Sequence, residues 1–383
     1  MQPTTPPGLP PEEAPVTVDE SALCIVRDRF AQRLPAYLGG VAAPDAGLRV
    51  DLRALSSAST YPLYLAEALS GAGQCVLRAV VKFAPIYGGL REGRTEYDNL
   101  RAMYTRLGPA GPLRVARPLD YYQDVNALLT EHVGGERFSR QVLAGATLAP
   151  GPAAWERLCA TAKRCGAWLR VFHEITATGD GDPFDTEVCD AIAQQLGWLR
   201  ELGLTPGAAG LAAEALRVLR GGEPRLRVAI ARRHGDFSPA NVHVLGEAIC
   251  VFDLSYASHA AVFDDLAHFL VTLDTMNPYP RYWKFSRRTV KRLREPFLAG
   301  YFADRAGALR GGVEEHVLLG YCLKHALTRC LKQRRSVATR GRAAGLLYDR
   351  LWLRGPGARL VSSYARRVLA TAPPHGHYRD SRS

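Results

Sequence analysis

The chain of 383 residues lacks several features that mark exported, membrane-spanning or zinc-binding proteins. It has no run of 18 apolar residues, and its first residues do not follow the charged-then-apolar order of a signal peptide. Its eight cysteines are scattered without a Cys-x-x-Cys pair, which argues against a zinc site. Without an export signal, buried thiols are favoured over disulfides. We therefore expect a soluble, cytoplasmic protein.

Length and composition predict a folded protein with more than one core. Hydrophobic residues make up 47% of the chain, which excludes a largely disordered protein. Single cores usually divide beyond ~250–300 residues, and this chain is longer. We predict a flexible tail at 1–18, an N-terminal lobe at 19–133, a C-terminal lobe at 134–371 and a second flexible tail at 372–383.

One stretch carries the clearest pattern for chemistry, His-Gly-Asp-Phe-Ser-Pro-Ala-Asn at 234–241, followed by Asp253. An Asp and an Asn five residues apart, here Asp236 and Asn241, can accept a hydroxyl proton and hold a metal ion, and a further Asp can bind Mg²⁺ beside nucleotide phosphates. Strand-like flanks predict that all three converge at one edge of a small sheet. The alternative is that Asp236 and Asn241 only close a turn.

This pattern resembles the aminoglycoside phosphotransferase and choline kinase group of the protein-kinase-like fold. The resemblance implies a two-lobed α+β fold, with a small antiparallel-sheet N-lobe and a larger, mostly helical C-lobe. It also implies transfer of phosphate from ATP, with Mg²⁺, to a hydroxyl group. By the resemblance Asp236 is the catalytic base, Asn241 and Asp253 are Mg²⁺ ligands, and His234 braces the loop.

The sequence upstream predicts a β-meander of three strands, with Lys82 near the end of the third. In the resembled family a lysine at this place contacts the α- and β-phosphates and pairs with a glutamate on the next helix, for which Glu96 is the candidate. Arg78 competes with Lys82 for this role, and Glu92 competes with Glu96. Lys82 could instead be a solvated strand-end lysine, and Glu96 an ordinary first-turn acid.

Two further nucleotide contacts depend mainly on position in the chain. The loop at 56–60 reads Ser-Ser-Ala-Ser-Thr and lacks the Gly-x-Gly-x-x-Gly pattern of protein kinases. Ser57 and Ser59 could still bind phosphate through hydroxyl and backbone N–H groups, although a serine-rich turn is often only a turn. The resemblance places the segment from Glu131 to Val133 against the adenine.

A second acidic motif follows the Mg²⁺-binding Asp in the resembled family. Here Asp-Asp-Leu-Ala aligns Asp265 with a family Asp that tethers the catalytic loop, whereas Ala261 stands at the place of the other family Asp. Asp264 and Asp265 could equally be N-terminal acids of a helix, and we assign neither to catalysis. His173 matches a histidine that has a structural role in the family.

The charge distribution bears on the acceptor. The chain carries a net charge of +12, and residues 284–367 contain 20 Lys and Arg against 5 Asp and Glu. An enzyme for polycationic antibiotics would need carboxylates around its acceptor, so this surplus favours a neutral or anionic small molecule such as a sugar, a metabolite or a lipid head group. The alternative is a merely solvated basic face.

Other classes of function also remain open at this point. The chain could be a nucleotide-binding pseudokinase that acts as a scaffold, or an antibiotic-modifying phosphotransferase. The basic C-terminal helices leave peripheral contact with an anionic membrane open. No recognised nucleic-acid motif accompanies these cations, so no specific nucleic-acid partner is expected. The sequence leaves the oligomeric state open.

Overall fold

The computed structural model describes residues 18–39, 48–55, 61–84, 86–87, 90–221, 227–255, 258–276, 284–303, 312–338 and 348–372. Ser57 and Ser59 lie outside the described residues, as do nearly all of the predicted tails. The chain divides into two compact units. The first comprises residues up to Arg140 together with Ala240–Ala257, and the second comprises Gln141–Pro239 and the residues from Ser258 onward. Ala240–Ala257 thus packs with the first unit, although the sequence predicts it within the 134–371 lobe.

The described residues of the first unit up to Arg137 form two helices and nine strands. They are α1 (Glu20–Tyr37), β1 (Arg49–Ala54), β2 (Leu63–Leu69), β3 (Cys75–Phe83), β4 (Ile86–Tyr87), β5 (Leu90–Arg91), α2 (Glu92–Leu107), β6 (Leu113–Val115), β7 (Pro118–Tyr122), β8 (Ala127–Glu131) and β9 (Glu136–Arg137). A five-stranded sheet has the order β1-β2-β3-β8-β7, and all its neighbours are antiparallel. The predicted meander is therefore present as β1 to β3.

Helix α1 packs on this sheet through one apolar face. Asp19 caps its first turn by accepting the Ala22 N–H at 2.7 Å, as expected of an N-cap aspartate. Val26, Phe30 and Leu34 recur every four residues, so they share one side of the helix, and all three are fully buried against the sheet. Each such side chain contributes roughly 1.5–3 kcal/mol to stability through burial.

A separate four-stranded sheet contains the hairpin between Asn241 and Asp253. Its strands β12 (Val242–Leu245) and β13 (Ala248–Val251) pair antiparallel with each other, and the order is β6-β13-β12-β9. The strand before the hairpin, β11 (Val228–Arg232), belongs to another sheet, between β10 (Gly179–Gly181) and β14 (His259–Ala261). The prediction of one shared small sheet is therefore wrong, because β6 and β9 already pair with both edges of the hairpin.

The second unit is mostly helical. Its helices are α4 (Pro152–Thr176), α5 (Ala191–Glu201), α6 (Pro206–Gly221), α7 (Phe263–Thr275), α8 (Arg287–Lys291), α9 (Arg294–Phe302), α10 (Val313–Ala338) and α11 (Ala358–Ala370), while α3 (Phe138–Gly145) runs from one unit into the other. Wide turns of π-helix at Asp185–Asp190 and Asp349–Gly357 precede α5 and α11, and a 3₁₀ turn covers Pro239–Asn241. Within the described residues, no helix is both long and apolar enough to span a membrane.

Candidate active site

In the first unit, Lys82 forms the centre of an ion-pair cluster. It lies near the end of β3, and its Nζ donates to Glu96 Oε2 at 2.8 Å and to Asp253 Oδ1 at 2.7 Å. Glu96 comes from α2 and Asp253 follows β13, so three elements distant in sequence supply the cluster. The side chain of Lys82 is 14% exposed and that of Glu96 is 6% exposed, whereas Asp253 keeps 32% of its side-chain surface open to solvent.

The cluster keeps Lys82 charged. Burial alone would lower the pKa of this ammonium, but the carboxylates of Glu96 and Asp253 outweigh burial and raise the Lys82 pKa above its ordinary value. The ring of Tyr61 also lies 5.0 Å from the Lys82 nitrogen, in a cation–π position. A fixed positive charge on a strand end is suited to neutralising phosphate oxygens.

The backbone beside Asp253 is held in an uncommon conformation. Asp253 has φ of 68°, in the left-handed region that non-glycine residues seldom adopt. The next residue, Leu254, accepts a 2.6 Å hydrogen bond at its carbonyl from the side-chain amide of Asn99 on α2. Glu96 and Asn99 are three residues apart and face the same side of α2, so one helix turn binds both Lys82 and the loop of Asp253.

Asn241 is brought to Asp253 by the register of the hairpin. The pairing Val242↔Val251 places Asn241 opposite Phe252, and the Phe252 N–H donates to the Asn241 carbonyl at 3.0 Å. Magnesium is usually bound by one or two protein oxygen ligands together with substrate phosphates and water. One carboxylate and one amide oxygen at the end of a hairpin therefore fit a Mg²⁺–nucleotide complex.

In the second unit, Asp265 holds the loop that carries Asp236. The buried Asp265 carboxylate accepts the backbone N–H groups of His234 and Gly235, both at 2.8 Å, and lies 3.2 Å from His173 Nε2. Burial alone would raise the Asp265 pKa, but the hydrogen bond with His173 and the electrostatic effects of His173 and His234 hold it below its ordinary value. Gly235 has φ of 80°, so a residue without Cβ is suited to this sharp turn.

Aromatic packing fixes His234 and Phe237, which lie on either side of Asp236 in the loop. The His234 ring makes edge contacts with Trp168, Phe172 and Phe237, at centroid distances of 6.1, 6.2 and 5.4 Å. Phe237 is fully buried and stacks on Trp168 at 5.6 Å. With both flanks anchored, Asp236 is presented with 49% of its side chain exposed, and its Oδ1 lies 3.1 Å from His268 Nε2 on α7.

The other residues considered for nucleotide binding lie in different surroundings. Glu131 ends β8, and its side chain pairs with Arg117 at 3.1 Å. Val133 is half-buried in the segment before β9. The side chain of Arg78 is 55% exposed and pairs with Glu67 at 2.8 Å. Lys82, and not Arg78, therefore lies beside Glu96 and Asp253.

Sequence reasoning missed three residues of these clusters. Asn99 could have been found by its helical spacing from Glu96. His268 directly follows Asp-Leu-Ala, but the resembled motif gives it no role. Asp264 has the position of an ordinary helix acid in the sequence, but its side chain is 4% exposed and pairs with Lys324 at 2.5 Å and His325 at 2.9 Å, both on α10.

Comparison with known proteins identifies the family and the fold of the chain. A family model described as a phosphotransferase enzyme family, APH, matches residues 54–311, about two thirds of the chain. Among the curated proteins no match was found. One similar solved structure is a glucosamine kinase, with 15% identity, 90% coverage of this chain, 85% coverage of that chain and a TM-score of 0.53.

Two further solved structures have a TM-score of 0.50. One is a choline kinase from Cryptosporidium parvum Iowa II, 12% identical over 91% of this chain and 95% of that chain. The other is the ADP-bound aminoglycoside phosphotransferase APH(2'')-Ib, 14% identical over 90% of this chain and 99% of that chain. These likenesses confirm the predicted two-lobed, protein-kinase-like α+β fold. The chain belongs to the APH phosphotransferase enzyme family.

Proposed function

We propose that this protein is an ATP- and Mg²⁺-dependent kinase that transfers the γ-phosphate to a hydroxyl group of a neutral or anionic small molecule. The observation that carries the proposal is the pairing of Lys82 with Glu96 at 2.8 Å and with Asp253 at 2.7 Å. An exposed lysine at a strand end would not hold two carboxylates this way. A cation ready to meet phosphates beside a carboxylate ready to meet a metal is the arrangement that phosphoryl transfer requires.

Each residue then has a defined part. The acceptor oxygen forms a bond to the γ-phosphorus while the bond from that phosphorus to the β–γ bridging oxygen breaks, and ADP leaves. Asp236 takes the proton of the acceptor hydroxyl, and His234 braces the loop that carries it. Lys82 contacts phosphate oxygens. Mg²⁺, held by Asn241 and Asp253, would supply charge neutralisation on the phosphates.

The remaining nucleotide contacts are assigned from the places of the residues along the chain. We assign the adenine to the backbone of Glu131–Val133, and the phosphates additionally to Ser57 and Ser59. The N–H groups of Glu131 and His132 donate to the carbonyls of Arg117 and Arg78 at 2.9 Å, which fixes the segment where the base would lie. The similar phosphotransferase that was solved with ADP supports nucleotide binding by this fold.

The acceptor class rests on charge. Residues 284–367 hold 20 Lys and Arg against 5 Asp and Glu, and like charges would repel a polycation from that region. The similar structures include kinases named for glucosamine and choline and an aminoglycoside phosphotransferase. Because these acceptors differ, our proposal for the acceptor class depends on the charge distribution.

The test is ATP turnover with Mg²⁺ against pooled sugars, amino alcohols, lipid head groups and antibiotics. We expect phosphorylation of a neutral or anionic acceptor and at least a ~100-fold lower rate for Asp236→Asn, because the base is lost. Asp190→Asn, an exposed aspartate paired with Arg220 in the same unit, is the matched control and should retain full activity. ATP binding without turnover would indicate a scaffold, and efficient turnover of a polycationic antibiotic would contradict the proposed acceptor class.

A further inference from the structure

We propose, building on the kinase function above, that the acceptor carries an anionic group beside its reacting hydroxyl, and that Arg329 binds this group. Arg329 lies on α10, and its positive charge acts on the carboxylate of Asp236. Within the described part of the chain, the Arg329 side chain makes no hydrogen bond and no ion pair, although its Nε is fully buried. A partly buried guanidinium without a carboxylate partner is costly, so it favours a ligand of opposite charge.

Three other largely buried cations of the second unit are paired with carboxylates. Lys324 lies 2.5 Å from Asp264, Arg294 lies 2.8 Å from Asp274, and Arg334 lies 2.6 Å from Asp349. Each of these side chains is less than a quarter exposed, like its carboxylate partner. Arg329 shares their environment but lacks their ion pair. Burial lowers the pKa of Arg329, and the negative charge of Asp236 offsets this lowering only in part.

Carboxylates and cations are equal in number around Asp236, apart from the histidines. Asp264 pairs with Lys324 and also lies 3.6 Å from Arg233, the residue that precedes His234. Lys324 and Arg233 are thus both taken up by Asp264, whereas Arg329 is left to act on Asp236. His268, which contacts Asp236, has its ring 5.2 Å from that of His325 on α10. His325 and Arg329 are four residues apart and thus lie on the same side of α10.

This arrangement selects the acceptor by charge and shape. A guanidinium offers two parallel N–H donors that match the oxygens of a phosphate or a carboxylate. Because Asp236 takes the hydroxyl proton and Arg329 acts on that same carboxylate, the anionic group must be near the hydroxyl. A polycationic acceptor would instead meet the charge of Arg329, which no carboxylate among the described residues pairs, and be repelled. The acceptor class that fits is a hydroxyl compound bearing a phosphate or carboxylate.

The main test compares paired acceptors that differ only in the anionic group, such as glycerol with glycerol 3-phosphate or glycerate, and glucose with glucose 6-phosphate. We expect wild-type kcat/KM to be higher for the anionic member of a pair. Arg329→Gln should raise the KM for that member about tenfold or more, while the KM for ATP stays unchanged. Arg366→Gln, an exposed arginine on α11, is the control and should change neither KM.

Three results would overturn the proposal. One is equal or better use of the neutral members. Another is an Arg329→Gln variant that loses affinity for ATP rather than for the acceptor, which would assign Arg329 to the nucleotide phosphates. The third is an unchanged acceptor KM in that variant. If Arg329→Gln does not fold, Arg329→Lys can be used, because it keeps the positive charge but lacks the two parallel N–H donors of the guanidinium. It should raise the KM for the anionic acceptor less than the rise of about tenfold expected for Arg329→Gln.

A binding measurement separates this proposal from the kinase function. Titration calorimetry with sodium sulfate, in excess ADP and Mg²⁺ to fill the nucleotide site, should show sulfate binding to the wild type that Arg329→Gln weakens about tenfold or more. Asp236→Asn should tighten sulfate binding, because a neighbouring negative charge is removed. Sulfate binding with these responses supports the Arg329 site even if no acceptor is phosphorylated, whereas sulfate binding that ignores both substitutions contradicts it.

Discussion

The carboxylate of Asp265 accepts the backbone N–H of His234 at 2.8 Å, and through this bond a helix side chain sets the path of the loop that presents Asp236. The same carboxylate accepts from Gly235 at 2.8 Å and meets His173, whose other ring nitrogen lies 2.8 Å from the Tyr301 hydroxyl. A 2% exposed anion thus ties α4, α7 and α9 to one loop. Its removal should affect both folding and activity.

Asp265→Asn keeps the shape of the side chain but puts an amide donor where two N–H groups and a histidine need an acceptor. We expect the free energy of unfolding to fall by about 2–4 kcal/mol, because charged hydrogen bonds are lost in a buried place. The measurement is urea denaturation, with Asp190→Asn as control, since its partner Arg220 is 49% exposed and the pair should contribute little. Equal unfolding midpoints for the two variants would contradict the tethering role.

Lys82 and Arg78 offer a matched comparison, since both lie on β3, four residues apart. Lys82→Met leaves Glu96 buried beside Asp253 without a cation, so we expect at least a ~100-fold loss of kinase activity and a loss of stability of about 3–5 kcal/mol. Arg78→Met breaks only an exposed pair with Glu67 and should change stability by less than about 1 kcal/mol. Comparable loss of activity in the two variants would return Arg78 to consideration as the phosphate ligand.

The elements that sequence predicted well are those with local signals. The largely apolar run at 75–83 is typical of a strand such as β3, and Val26, Phe30 and Leu34 have the spacing of one helix face, as in α1. The family resemblance implies the pairing of Lys82 with Glu96, and the structure joins the two at 2.8 Å. These features depend on residues close together in sequence, or on a pattern that a family repeats.

Pairings between distant segments could not be predicted. The hairpin β12–β13 is flanked by β6 and β9, strands of three and two residues whose sequences carry no periodic signal. Arg329 reads as one more cation in a basic helix, and only the positions of its neighbours show that it lacks an ion pair among the described residues. Such properties arise from contacts that a single sequence does not display.

The crossing of α4 and α9 depends on two glycines that sequence did not single out. A Cβ on Gly300 would lie 1.9 Å from the Lys163 carbonyl oxygen, and one on Gly166 would lie 2.0 Å from the Phe297 carbonyl oxygen. Gly300→Ala should therefore force the helices apart and lower the free energy of unfolding by about 1–3 kcal/mol. The matched control is Gly197→Ala in α5, where nothing lies within 4 Å of the new Cβ, so a gain of about 0.5–1 kcal/mol is expected. Losses of the same size would refute the close-packing explanation.

Buried His316 should make stability depend on pH. It is 6% exposed and lies 3.1 Å from the Thr371 hydroxyl, and burial lowers its pKa below the ordinary value of 6.5. Below that pH the unfolded chain binds a proton that the folded chain does not, so the free energy of unfolding falls as pH decreases, by up to about 1.4 kcal/mol per pH unit. Urea denaturation over about one pH unit on either side of about 6.5 should show a shallower dependence of the free energy of unfolding on pH for His316→Gln than for the wild type.

The control is His259→Gln, at an exposed histidine on β14, which should keep the pH dependence of the wild type. An unchanged slope in His316→Gln would mean that this histidine is protonated equally in both states.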